Sequence, residues 1–142
     1  MAVPAPPRPA GSIRIMVAED EPHIRRILVT LLEAQGFRVD VARDGNEALE
    51  FLDGPAAYDA VLLDLLMPGH TGLEVLEQIR GMSRRALTPV LLLSAKGQDA
   101  DRDRAFQLGA ADFLTKPFSP KKLINRLDQL LGQAREGNGR DG

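Results

Sequence analysis

Apolar positions along this chain follow two spacings. Short continuous or every-second-residue runs fit strands, and longer runs with apolar residues three and four apart fit amphipathic helices. Ile13 to Ala18 is a β-branched run suited to a buried strand. Ile24, Ile27, Leu28, Leu31 and Leu32 then recur at helical spacing, with Pro22 at the first helical position and Gly36 just after the end. Phe37, Val39 and Val41 alternate as a strand does. Asp44 can cap a short helix running through Leu52, with Ala48, Leu49 and Leu52 facing inward. Ala60 to Leu63 is a continuous apolar strand, and Leu73, Leu76 and Ile79 mark a third helix. Pro89 to Leu93 predicts a fourth strand, Asp99 to Leu108 a more polar helix ended by Gly109, and Phe113 to Thr115 a short fifth strand. Leu123, Ile124, Leu127, Leu130 and Leu131 make the last helix.

Strands and helices in strict alternation predict a parallel sheet covered on both faces, a three-layer α/β/α fold. Right-handed crossovers narrow the topology to a doubly wound, flavodoxin-like (βα)5 sheet of order 2-1-3-4-5. Ligands in such sheets bind beyond the carboxyl ends of the strands. Residues 1–12 hold four prolines, three alanines and one glycine, which predicts a disordered arm, and the polar, Gly-rich 133–142 predicts a flexible tail. The globular domain is expected over 13–132.

Composition removes several chemistries. The 142 residues include no cysteine, which excludes disulfides, thiolate metal sites and cysteine nucleophiles. A formal net charge of −2 gives no bulk positive charge for nucleic acid. No apolar run is long enough to span a bilayer, and the N-terminus lacks the apolar core of a secretory signal, so a cytoplasmic location is expected.

What remains is concentrated at the predicted strand ends. The first strand runs into Glu19-Asp20-Glu21, the third into Asp64, the fourth into Ser94-Ala95-Lys96 and the fifth into Thr115-Lys116-Pro117. In the order 2-1-3-4-5 the first and third strands are neighbours, so Asp64 should lie beside Glu19 and Asp20, with Lys116 and Ser94 close. Clustered carboxylates ionise together only against positive charge. Lys116 supplies one such charge, and Mg²⁺, which favours oxygen ligands, would supply the rest. A carboxylate, a hydroxyl, a lysine and a hard cation make a phosphoryl-transfer site in which the carboxylate can be the acceptor. Small Ala95 leaves space above Asp64. Taken singly, each piece has a plainer reading: the acids as helix caps, Ser94 as a strand-end hydroxyl, Phe113 as a core ring. His23 and His70 form no metal-ligand pair, and Arg84-Arg85 reads as a loop charge pair.

Four segments, VAEDEP (17–22), LLDLLMPG (62–69), LLLSAKG (91–97) and ADFLTKPF (111–118), resemble the receiver domain of bacterial two-component response regulators, over about residues 13–132. The resemblance implies that Asp64 is phosphorylated by a partner histidine kinase or phosphotransfer protein. It implies Mg²⁺ held by Asp20, by Glu19 through water, by Asp64 and by the main-chain carbonyl of Leu66. Ser94 then matches the switch hydroxyl, Lys116 the phosphate-binding lysine, Phe113 the aromatic switch position and Pro117 a proline that is usually cis. Movement of Ser94 would turn the Phe113 ring inward and alter the face made by the fourth helix, fifth strand and fifth helix. That is a two-state element passing a shape change to a downstream protein.

Some positions depart from the family's pattern. Glu19 stands where Asp is common, Ser94 where Thr is frequent, and Phe113 lacks the hydroxyl of Tyr. Leu66 and Lys96 occupy the positions that tune phosphate lifetime, and an apolar Leu66 cannot orient an attacking water, which favours a long-lived phosphoryl group. LTKPFSPKKL (114–123) resembles receivers of the winged-helix transcription factors, which dimerise through charge pairs. Arg126 fits that pattern, but Ala111, Lys122 and Asp128 break it, which predicts a monomer or weak dimer and favours a stand-alone regulator over a fragment of such a factor.

Three other functions compete. A phosphatase of the haloacid-dehalogenase type would need an acid where Leu66 stands. A receiver fold reduced to an interaction module would be expected to lose an acid or the lysine. A flavodoxin-like electron carrier would need a Ser/Thr/Gly-rich phosphate loop after the first strand. The expected protein is therefore not an ordinary enzyme, although it would promote its own phosphorylation and dephosphorylation.

Overall fold

The computed structural model describes residues 13–95 and 99–136. Five parallel strands, β1 (Arg14–Ala18), β2 (Arg38–Ala42), β3 (Ala60–Asp64), β4 (Val90–Ser94) and β5 (Asp112–Thr115), form one sheet of order β2-β1-β3-β4-β5. Helices α1 (Pro22–Ala34), α2 (Gly45–Asp53), α3 (Gly72–Gly81), α4 (Asp99–Gln107) and α5 (Pro120–Glu136) connect or follow them. The expected topology is the observed one. The boundary expected at 132 falls inside α5, which continues to Glu136. The Pro-rich stretch 1–12, Lys96 and residues 137–142 lie outside the described residues.

Side-chain alternation along the buried strands builds two cores. Ile15, Val17, Leu62, Leu91, Leu93 and Leu114 point to the face covered by Leu28 and Leu32 of α1 and Leu123, Leu127 and Leu131 of α5. Met16, Ala18, Leu63, Leu92 and Phe113 point to the face covered by α2, α3 and α4, through Ala48, Leu52, Val75, Leu76, Ile79 and Ala105. Of these, α4 is the most weakly anchored by sequence, since DADRDRAFQ offers Ala105 to the core and leaves Phe106 42% exposed.

Local chemistry sets the helix starts. Glu21 caps α1 by accepting from the His23 and Ile24 amides, and Pro22 supplies a first helical residue with no amide to satisfy. Asp44 caps α2 by accepting from Glu47 N, as expected. Thr71 and Glu74 form a reciprocal capping box at α3.

Arg84 and Arg85 are not the loop charge pair that the sequence implied. Arg85 is buried at 3% exposure. Its Nε donates to Leu52 O at 3.0 Å, its Nη2 donates to Gly54 O at 3.0 Å, and its guanidinium lies 5.0 Å from the Tyr58 ring centroid. Arg84 donates to the same Gly54 carbonyl at 2.6 Å from a more exposed position. The pair satisfies carbonyls at the C-terminal end of α2 that the helix leaves open. Arg85→Ala should destabilise the fold by about 1–3 kcal/mol in urea melts, because it strands the buried Leu52 carbonyl, whereas Arg84→Ala, which leaves Gly54 O bonded by Arg85, should cost under about 1 kcal/mol.

Candidate functional site

Parallel pairing delivers the acidic residues to one edge. Ala18 pairs with Leu63, which sets Glu19 level with Asp64 just beyond the last pair. Asp64 itself pairs with Leu93, and Ser94 pairs with Thr115, so Lys116 follows immediately on β5. By alternation Glu19, Asp64 and Lys116 fall on the side of α1 and α5, while Ser94 falls on the side of Leu92 and Phe113.

The side chains meet as the sequence predicted. Lys116 Nζ donates to Glu19 Oε1 at 2.8 Å and to Asp64 Oδ1 at 3.0 Å. Glu19 is fully buried and Asp64 is 5% exposed, so this ammonium is the counter-charge for two desolvated acids. Carboxylate oxygens of Glu19, Asp20 and Asp64 lie within 4.8 Å of one another, with Asp20 exposed to solvent. That donor set is three hard oxygen ligands with one open side, which fits a divalent cation such as Mg²⁺. Leu66, whose carbonyl the resemblance assigns to the metal, is 57% exposed on the loop after β3. That loop is held by two close backbone approaches. A side chain at Gly72 would lie 2.5 Å from Asp64 O, and one at Gly45 would lie 2.2 Å from His70 O. Both glycines are therefore required by space.

Ser94 is 1% exposed and its Oγ has no hydrogen-bond partner among the described residues. A buried hydroxyl in that condition is costly unless an incoming group satisfies it. Ala95 is exposed next to it. The Lys116–Pro117 peptide bond is cis, as the resemblance implied. Phe113 is 8% exposed and already packed in the core with Leu92 and Ala105, so an inward turn has little distance left to travel. The ring also borders a groove lined by Arg102, Phe118, Lys122 and Arg126. Arg126 is engaged by Asp112 of the same chain. Among the sequence-predicted residues, Lys96 falls outside the description, and His23 and His70 join no metal cluster among the described residues.

Charge in this pocket is poised. Burial pushes the Asp64 carboxyl up to about 7; the Glu19 charge adds to this, and Lys116 opposes it. Burial works against the Lys116 ammonium, but hydrogen bonds to Glu19 and Asp64 outweigh it and hold its pKa above the ordinary lysine value. A carboxyl whose pKa is higher folded than unfolded favours the fold at low pH, and that contribution is lost as pH rises through about 7. Without divalent cation, Asp64→Asn should therefore melt above wild type at pH 8, by on the order of 2–4 kcal/mol, with the gap closing toward pH 5. Mg²⁺ should raise the wild-type melting temperature most at the higher pH and leave Asp64→Asn nearly unmoved.

Comparison with known proteins gives the same picture. Residues 15–128 match the family described as the response regulator receiver domain. The transcriptional regulatory protein ResD of Bacillus subtilis is 43% identical over 122 residues, which are 85% of this chain and 49% of that protein. The transcriptional activator protein PfeR of Pseudomonas aeruginosa is 44% identical over 124 residues, covering 87% of this chain and 39% of that protein. The chain thus spans about half the length, or less, of these relatives. The receiver domain of the Francisella response regulator 1452 superposes with a TM-score of 0.79 at 32% identity, over 87% of this chain and 99% of that one. The receiver domain of sensor histidine kinase PA1611 from Pseudomonas aeruginosa, solved with a magnesium ion coordinated in its active site cleft, gives 0.77 at 29% identity over 84% and 98%. Matched over most of its length in both sequence and fold, the chain belongs to the response regulator receiver domain family of two-component systems.

Proposed function

We propose that this domain accepts a phosphoryl group on Asp64 from a histidine kinase or phosphotransfer protein and relays the change to a downstream protein. The observation that carries this reading is a buried carboxylate, Asp64, held 3.0 Å from Lys116 Nζ at the strand edge where the buried Ser94 hydroxyl has no partner among the described residues. In the transfer, an Asp64 carboxylate oxygen bonds to phosphorus as the bond from phosphorus to the donor's imidazole nitrogen breaks, and the imidazole keeps that electron pair. In this reading Lys116 binds a phosphoryl oxygen as well as the carboxylate, and Ser94 Oγ–H donates to another. Glu19, Asp20, Asp64 and the Leu66 carbonyl are the residues that would hold Mg²⁺, which when bound supplies the positive charge that the crowded acids and incoming phosphate need.

Satisfying Ser94 draws it toward the site, on the side of the sheet it shares with Leu92 and Phe113. Together with the shallow anchoring of α4, this favours output through the face of α4, β5 and α5. Leu66 at the mouth offers no group to orient water, which favours slow hydrolysis of the acylphosphate. The domain has no separate metabolic substrate in this reading, and it acts in the cytoplasm. Among the described residues no helix is long and apolar enough to cross a membrane.

Incubation with acetyl phosphate, followed by intact mass, tests the proposal. Wild type should gain one Mg²⁺-dependent phosphoryl adduct and Asp64→Asn none. Lys116→Ala should slow labelling on the order of a hundredfold, the scale of losing one preorganised charge donor. Equal labelling of wild type and Asp64→Asn would overturn the assignment.

A further inference from the structure

Asp20 is the exposed member of the acidic trio, so where its carboxylate stands depends on its backbone. That backbone belongs to the short link between β1 and α1. Within it the Glu19 amide donates to Ala42 O at 3.1 Å, and the Glu21 amide donates to Glu19 Oε2 at 3.1 Å. A further tie comes from the helix. Nη1 of Arg25, in the first turn of α1, donates to Glu19 O at 3.0 Å and to Asp20 O at 3.4 Å. The guanidinium thus brings positive charge to the acidic loop without occupying a carboxylate oxygen. Glu19 Oε1 and Asp64 Oδ1 are already taken by Lys116. A second cation bonded to carboxylates would compete with a metal; one bonded to the carbonyls behind them does not.

We propose that Arg25 is a positioning residue for the cation site: by clasping the carbonyls of Glu19 and Asp20 it holds these acids converged on Asp64 and so sets divalent affinity. It touches neither the metal nor the phosphoryl group. The proposal rests on the divalent site inferred above. Groups that orient ligands from behind typically change metal affinity by about 10- to 100-fold when removed.

The sign of the effect separates this role from simple electrostatics. Deleting a positive charge beside a cation site should tighten cation binding if charge is all that matters. Deleting a clasp should loosen it. Mg²⁺ titrated into the full chain by calorimetry, at one ionic strength, should bind about tenfold more weakly to Arg25→Ala than to wild type. Arg26→Ala removes an equal charge from an exposed neighbour on α1 and should bind as wild type or slightly tighter. Circular dichroism and melting without divalent cation check that Arg25→Ala remains folded. Should it unfold, Arg25→Gln carries the same comparison, because it loses the bridging guanidinium while keeping a long polar side chain. Acetyl phosphate labelling of the variant should lag at low Mg²⁺ and recover to the wild-type rate at saturation. Unchanged or tighter Mg²⁺ binding in the Arg25 variant overturns the positioning role, as does a rate that stays low at saturation. Failure of wild type itself to bind Mg²⁺ would count instead against the cation site on which the role depends.

Discussion

The arrangement of the site depends on one ammonium. Glu19 and Asp64 are both desolvated at adjacent strand ends, and their mutual repulsion would make that edge of the sheet unfavourable. Lys116 reaches between them from β5, bonding both at hydrogen-bond distance. Its reach is long because β5 is separated from β3 by β4. Even so, Lys116 offsets only part of the burden, since Asp64 still titrates near neutrality. The pocket therefore carries more negative charge than its one ammonium neutralises.

The surroundings are built to hold backbone as well as side chains. Gly72 lets α3 start against the Asp64 carbonyl, and Gly45 lets α2 start against the His70 carbonyl, so the loop that follows Asp64 is braced on both sides. On the other flank Arg25 ties the acidic loop to α1. At the far end of the sheet Arg85 closes the end of α2, and Arg80 bonds Ala86 O, Thr88 O and Gly109 O. Three arginines therefore act through carbonyls at places where regular secondary structure leaves acceptors open.

The side of the sheet under α4 is made differently. Ala105 is the residue that α4 commits to the core, and the groove beside Phe113 carries Arg102 and Lys122. A helix with so little buried apolar surface is inexpensive to shift compared with α1 or α5, whose leucines are fully enclosed. The edge that carries Asp64 and the loosely seated helix share the sheet through Leu92 and Phe113.

The sequence by itself determined the sheet order, the strand-end constellation of Glu19, Asp20, Asp64, Ser94 and Lys116, and the cap at Asp44. Those features are local: alternation, helical spacing and side chain-to-amide bonds act within a few residues, and the sheet order follows from right-handed crossovers. Tertiary structure alone decided the role of arginines 25, 80 and 85 and the fit of glycines 45 and 72. Each of these depends on a carbonyl or a packed surface brought near by folding, and an acceptor of that kind has no residue type to be read in a sequence. The domain boundary expected at 132 falls inside α5 for a related reason. The polar composition of Gln133–Glu136 reads as tail, yet a helix whose earlier turns are anchored by Leu127 and Leu131 extends into it at little further cost.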